Sequence, residues 1–403
     1  MQTLTTHEQA ALDSIRPEPM LKQVEAWCAI NTGSANLKGL AVMAQLLRDA
    51  FGTLPGEVEL IDPAPVERVN ADGSITGVQH GQHLLLTVRP DAPMQLLFTG
   101  HMDTVFPSDH AFQNQKWVED GVLNGPGVAD MKGGIAVMLA ALHAVEDARH
   151  NDPIGYQVII NSDEEVGSPS SAPLIAHCAK GKTAALTYEP AALPDGTLAG
   201  ARAGSGNFSI ILSGKSAHAG RNPDDGRNAL VAAADLALRL KALHRGGLSV
   251  NPAKIDGGGP NNVVPDHAIL RVNCRPQNPE TEIFFDTELR KTVADVELAH
   301  EVSAHIHGGF GRPPKPLTQQ AEKLFHLVRD CGRELGLDIG WKSTGGVCDG
   351  NNIAACGVPV IDTMGVRGGA IHSSDEYLIT ESLTERARLS ALTIMRLAQK
   401  GSL

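Results

Sequence analysis

Aromatic side chains are scarce in this sequence, with three Trp, three Tyr and nine Phe making up 4% of 403 residues. A surface that stacks the bases of single-stranded nucleic acid needs such rings and is not expected here. Positive charge is also short: 34 Lys and Arg stand against 46 Asp and Glu, for a net charge of -12. No Lys/Arg cluster stands out, so a phosphate-backbone partner is not expected either. The six cysteines, Cys28, Cys178, Cys274, Cys331, Cys348 and Cys356, form no Cys-x-x-Cys pair. Their scatter is unlike a disulfide framework and reads as free, mostly buried thiols in a reducing compartment. The stretch from Met1 to Met20 is polar and mixed in charge. It lacks the basic start and apolar run of a signal peptide, and a cytoplasmic location is expected. No apolar run reads as a membrane span, so no membrane partner is expected.

What is present suits a globular enzyme. Hydrophobic residues are 42% and charged residues 20% of the chain, and 403 residues exceed what one core usually serves. Short apolar runs alternate with helical spacing. The pattern predicts helices over Leu37–Phe51 and Lys132–Glu146, and strands over His83–Val88, Gln95–Thr99, Tyr156–Asn161 and Ala184–Tyr188. Strands apolar at nearly every position imply a sheet covered on both faces, mostly parallel and flanked by helices. The character changes near Arg202. A strand over Phe208–Leu212, a helix over Arg227–Leu243 and a strand over Ala268–Cys274 form a block that closes near Gly311. Helix and strand then alternate again through Ala321–Leu335, Val358–Asp362 and Ser382–Gln399. The expected fold class is α/β, with a first catalytic segment 1–201, an inserted α+β domain 202–311 and a second catalytic segment 312–403.

The ends of the apolar strands carry the chemistry. One runs into Gly100-His101-Met102-Asp103, one into Ser162-Asp163-Glu164-Glu165 and one into Glu189-Pro190. Open parallel sheets bind ligands outside the carboxyl ends of their strands. Asp130 precedes a helix, and His372 follows the late strand. Any one of these is more often a solvated acid, a helix cap or a structural histidine. Together at one sheet edge they form the His-plus-carboxylate set that binds zinc or a similar divalent ion. Glu164 and Glu165 leave their strand in different directions, so one can bind metal while the other serves as general base. The glycines around Gly125 and Gly127 lead to Asp130 rather than to a third Gly, an incomplete dinucleotide fingerprint.

Six stretches now stand in one chain: GHMDTVF (100–106), GVADMKGG (127–134), SDEEVGS (162–168), YEP (188–190), GKSAHAG (214–220) and HSSDEY (372–377). In that order they resemble the zinc metallopeptidase family of glutamate carboxypeptidase, acetylornithine deacetylase, succinyl-diaminopimelate desuccinylase and aminoacylase. The resemblance covers nearly the whole chain and is nearest to the glutamate carboxypeptidase branch. It implies a zinc exopeptidase-like fold and two zinc ions, with cobalt or manganese as alternatives. Asp130 would bridge the ions, His101 and Glu189 would complete one site, and Glu165 and His372 the other. Glu164 would be the general base and Asp103 would orient His101 through the far ring nitrogen.

The resemblance further makes the inserted domain a lid and the contact of a homodimer. His218 would reach a neighbouring subunit's site and stabilise the oxyanion; alone it would read as a loop histidine. Asn262 and Arg275 would hold the substrate carboxylate, with Arg312 and Gly346 as further pocket residues. Glutamate carboxypeptidases of this type carry a lysine after the arginine that opens the lid, where this chain has Ala203, and Cys348 stands where a hydroxyl residue is common. The expected reaction is cleavage of the amide bond of an N-acyl amino acid or short peptide, releasing a C-terminal amino acid. The alternatives are deacylation of acetylornithine or succinyl-diaminopimelate, or an aminoacylase acting on non-acidic residues. A binding protein that kept the fold and lost the chemistry would lack a ligand or the base, and none is missing here.

Overall fold

In the computed structural model, which describes residues 4–148 and 154–403, six strands form a central sheet. Their order is Glu57–Ile61, His83–Val88, Ile154–Asn161, Met94–His101, Ala184–Thr187 and Val360–Ile361. Met94–His101 pairs in parallel with Ile154–Asn161 and with Ala184–Thr187, and Val360–Ile361 continues that direction. His83–Val88 alone runs against its neighbours. Apolar composition marks that strand but carries no sign of its direction.

Both faces of the sheet are covered, as the apolar strands require. Leu96, Phe98, Tyr156 and Val158 pack in one core with helices Pro17–Cys28, Gly133–Asp147 and Glu381–Lys400. The alternate residues Leu97 and Ile159 join Ile175 and Ile353 of helices Ala172–Ala179 and Asp349–Ala355 on the other face. Side chains change face at every residue of a strand, so one strand feeds two cores. The segment Val128–Asp147 is long and apolar enough to cross a membrane, contrary to the sequence expectation, but 89% of its apolar window is buried within the protein. It is the core helix of the sheet.

The inserted unit has its own core. Its four antiparallel strands lie in the order Leu248–Gly257, His267–Pro276, Ser205–Ser213 and Ser303–Arg312. Helices Ala229–Ala242 and Pro279–His300 cover one face, where Phe208, Ile210 and Leu212 meet Leu236, Leu240, Phe285 and Leu289. The chain order is strand, helix, strand, strand, helix, strand, the pattern of a split βαβ unit. The two connections to the main body run side by side, joined by backbone bonds between Arg202 and Lys315 at 2.9 and 3.0 Å.

Candidate active site

Strand register brings the ligand candidates together. His101 pairs with Asn161 across the sheet, and Thr99 with Thr187. The carboxyl ends that lead to Glu164, Glu165 and Glu189 therefore lie level with His101. Asp130 arrives from the turn Val128–Lys132, before helix Gly133–Asp147. Gly127 opens that turn at φ 75°, a left-handed conformation that suits glycine. At Gly134 a Cβ would come 2.0 Å from the Tyr188 carbonyl, so only glycine lets this helix approach the strand that leads to Glu189.

The two oxygens of Asp130 face two different groups. Oδ1 lies 3.1 Å from His101 Nε2, which is itself 3.7 Å from a Glu189 oxygen. Oδ2 lies 3.2 Å from His372 Nε2, which is 3.2 Å from a Glu165 oxygen. Two atoms bound at about 2.1 Å to one tetrahedral ion sit about 3.4 Å apart. The spacings around His101, 3.1 and 3.7 Å, bracket that value and those around His372, both 3.2 Å, fall just below it; imidazole with carboxylate is the donor set of a divalent transition ion. The residues fit a pair of metal ions. His372 has φ 63°, a region His enters more readily than most side chains, and its ring is 53% exposed at the cleft mouth.

Three buried groups hold this arrangement. Asp103 does more than orient His101. Its carbonyl is 3.0 Å from His101 Nδ1, nearer than its carboxylate at 3.4 Å. The carboxylate accepts the backbone N–H groups of Glu164 and Glu165 at 3.1 and 3.2 Å and the Ser34 hydroxyl at 2.7 Å. Arg312 donates to Glu164 Oε1 at 2.7 Å and is itself fixed by Asp349, Asn352 and Ser168. It is buried beneath Glu164 and does not line the cleft, so its place is that of a partner to Glu164 rather than a pocket residue. Glu376 accepts from the N–H groups of Gly127, Ala129 and Asp130. The sequence assigns no role to Asp349 or Glu376, although Glu376 lies within HSSDEY and Asp349 follows Cys348.

Burial raises the carboxyl groups: Glu164 and Glu189 to about 8 and Glu165 to about 7. At Glu164 the Arg312 charge opposes that rise. Hydrogen bonds donated to Asp130 and Glu165 lift His372 to about 11, and burial pushes Glu376 up to about 7. Burial works against the charged form of His101, but Glu189 and the Asp103 and Asp130 bonds outweigh it and hold the imidazole well above its ordinary value. Without bound cations, the acids and histidines share protons across the cluster.

The cleft, of about 250 Å³, is lined by Asp130, Glu164, Glu165, Glu189 and His372. Arg202, Gly346 and Cys348 also line it, with Thr344, Thr363 and small or aliphatic residues. Arg202 pairs with Asp362 at 2.7 Å and donates to the Gly346 carbonyl at 3.1 Å. Lys315 shares Asp362 at 3.1 Å, so two cations face one carboxylate beside the cleft. Cys348 is buried there, and burial raises its thiol well above the ordinary value.

The lid residues do not join this cleft. His218 and Asn262 lie together, linked through the Ala219 N–H to Asn262 O bond at 2.9 Å, and both are exposed. Arg275 lies apart on strand His267–Pro276, bonded to Asn273 at 3.1 Å. None of the three lines the cleft of its own chain. His218 Nδ1 accepts from the Gly220 and Arg221 N–H groups at 3.0 and 3.1 Å, which leaves the proton of a neutral ring on Nε2.

A mostly parallel sheet with His and carboxylate groups gathered at its strand ends and a second unit inserted in the chain is the architecture of a metal-dependent hydrolase. Residues 97–396 match the model of "Peptidase family M20/M25/M40", and the chain belongs to that family. It is 29% identical over 395 residues to carboxypeptidase G2 of Pseudomonas sp. (strain RS-16), covering 96% of this chain and 91% of that one. It is 31% identical over 310 residues to succinyl-diaminopimelate desuccinylase of Maricaulis maris (strain MCS10), covering 70% and 75%. Its fold matches a dinuclear metal-binding peptidase of family M20, the YXEP protein of Bacillus subtilis. The TM-score is 0.66 at 15% identity, with 94% of this chain and 98% of that one covered. The chain is a metal-dependent hydrolase with the fold of the zinc exopeptidases.

Proposed function

We propose that the protein is a dizinc hydrolase that cleaves an amide bond beside a free carboxylate, releasing a C-terminal amino acid from an N-acyl amino acid or short peptide. The observation that carries this reading is Asp130, whose two oxygens each meet a different histidine, one beside Glu189 and the other beside Glu165. His101 and Glu189 would hold one ion, His372 and Glu165 the other. Two such ions, when bound, polarise a scissile carbonyl and lower the pKa of water. Glu164 is the general base. Arg312 occupies its Oε1, and the second oxygen is enough to take a proton from water and return it to the leaving amine nitrogen.

The excess positive charge of Arg202 and Lys315 over Asp362 supports an anionic group on the substrate. Ala203 supplies no further cation, so acidic side-chain preference would rest on Arg202, Asn262 and Arg275. His218, with Nε2–H as donor, suits an oxyanion but stands away from its own cleft. A homodimer through the lid would bring it to the partner's site. Val231 and Leu238, two turns apart on helix Ala229–Ala242, are exposed on the lid and support such a contact.

Amino-acid release by the zinc-loaded protein tests the reading. The panel holds N-acyl-glutamate, N-acyl-aspartate, aromatic and aliphatic N-acyl amino acids, acetylornithine and succinyl-diaminopimelate. Release from the N-acyl acidic amino acids at the highest kcat/KM is expected. Preference for acetylornithine or succinyl-diaminopimelate would move the protein to the deacylase branch, and no release from any member would contradict the reading.

A further inference from the structure

We propose that Glu376 is a positioning residue of the metal centre: its carboxylate holds the backbone of Asp130 and thereby sets the aim of the bridge. The proposal rests on Asp130 being a metal ligand.

The turn that delivers Asp130 closes with the Lys132 N–H donating to Gly127 O at 2.9 Å, which leaves the N–H groups of Gly127, Ala129 and Asp130 to a partner outside it. Asp130 at φ -113° and ψ 91° and Met131 at φ -135° and ψ 34° leave helical geometry between Gly127 and the following helix. The chain there runs through the interior, where N–H groups need partners. Glu376 supplies them. Its Oε2 accepts from Gly127 at 3.1 Å, and its Oε1 accepts from Ala129 at 2.9 Å and from Asp130 at 3.0 Å. A carboxylate, which only accepts, suits three converging donors as an amide cannot. The side chain is 1% exposed and does not line the cleft, so it does not act on substrate directly.

Its own place is fixed from the other side of the centre. The Glu376 N–H donates to Ser373 O at 3.1 Å, and its carbonyl accepts from Asn124 Nδ2 at 2.7 Å and from the Gly125 N–H at 3.3 Å. The turn that ends in Glu376 begins with His372, the neighbour of Asp130 Oδ2. One short segment thus presents a ligand and holds the backbone of the bridging ligand. A shift of that segment moves both.

The test uses Glu376→Gln and Glu376→Asp in the full chain. Zinc affinity is read by competition with a chelating dye, the visible spectrum is taken with cobalt bound, and the melting temperature is taken without metal. The amide of Gln must turn its NH2 toward an N–H donor, and the shorter Asp cannot span all three. Zinc affinity is expected to fall roughly 10–100-fold in both variants, the range seen for groups that orient ligands, with changed cobalt bands. Wild-type affinity and bands with a lowered melting temperature would mean a structural role only and overturn the proposal. Should both variants fail to fold, amide exchange in the metal-free wild-type protein decides: Gly127, Ala129 and Asp130 are expected to be protected, and exchange at loop rates overturns the proposal. Asp130→Asn separates the two readings. Loss of zinc there with none in Glu376→Gln would defeat only the positioning role, while zinc retained in Asp130→Asn would defeat the ligand reading itself.

Discussion

The metal-ligand cluster and the lid loop around His218 both sit in turns that follow strands, yet they are built in opposite ways. Around Asp130 three of the acids are pinned: Asp103 grips the backbone of Glu164 and Glu165, Arg312 grips the Glu164 carboxylate, and Glu376 grips the Asp130 backbone. His218 is exposed; its ring accepts two N–H bonds from the following turn and its carbonyl two more, from Arg221 and Asn222. The first region is complete within one chain. The second stands apart from the cleft of its own chain, so on the proposed reading the metal ligands are assembled within one chain while the oxyanion donor is not.

That contrast can be broken at several points. The largest effect is expected from Glu164→Gln, which should lower kcat by about 10²–10⁴-fold while zinc content stays at the wild-type level. Wild-type turnover would remove Glu164 from the role of base. His218→Ala should lower kcat by about 10²–10³-fold, the cost of losing one oxyanion donor. If the donor crosses to a partner, mixing Glu164→Gln chains with His218→Ala chains should restore activity, because one hybrid site has both groups intact. No recovery in mixed dimers would confine His218 to its own chain.

The acids of the cluster also make stability depend on pH. Glu164 and Glu189 rise to about 8 and Glu165 to about 7, from an ordinary 4.5. Raised carboxyl groups stabilise the fold below their unfolded value and lose that contribution as pH climbs through the folded one. His372, lifted to about 11 from 6.5, acts in the same direction above pH 6.5. Melting of the metal-free protein should therefore fall from pH 6 to pH 8.5. Zinc should offset the fall, since it binds the deprotonated ligands. A metal-free melting temperature that rises over this range would contradict the charge balance described. The smallest effect is expected for the melting temperature of His218→Ala, with stability within about 0.5 kcal/mol of wild type for an exposed side chain. A large loss would mean the lid loop is not as loosely held as its contacts suggest.

Much of the main domain was legible because burial leaves a pattern. Helix Leu37–Phe51 and strand His83–Val88 have the bounds their apolar spacing predicts. The reversed direction of His83–Val88 was not legible, since pairing leaves no trace in composition. In the lid, helix Pro279–His300 lies outside the elements expected from sequence, although Phe285, Leu289, Val293 and Val296 form a buried helical stripe behind an Asn278 cap. Strand Ser303–Arg312 gives little signal, being mostly half-exposed and interrupted by Gly308 at φ 100°. The metal-ligand candidates were legible as residue types at strand ends. Their division into two groups came only with the family resemblance, because residue types alone do not say which way each Asp130 oxygen points. Glu376 and Asp349 are further from reach: Glu376 returns to the backbone of a turn far away in sequence and Asp349 to the side chains of Asn161, Ser168 and Arg312, and neither partnership leaves a local mark.

The most direct test of the account is the zinc stoichiometry of the stripped and reloaded protein, read by native mass spectrometry together with titration calorimetry. Two ions per chain are expected, in the wild-type protein and in Glu164→Gln alike. A single ion per chain at saturating zinc would contradict the bridging geometry of Asp130.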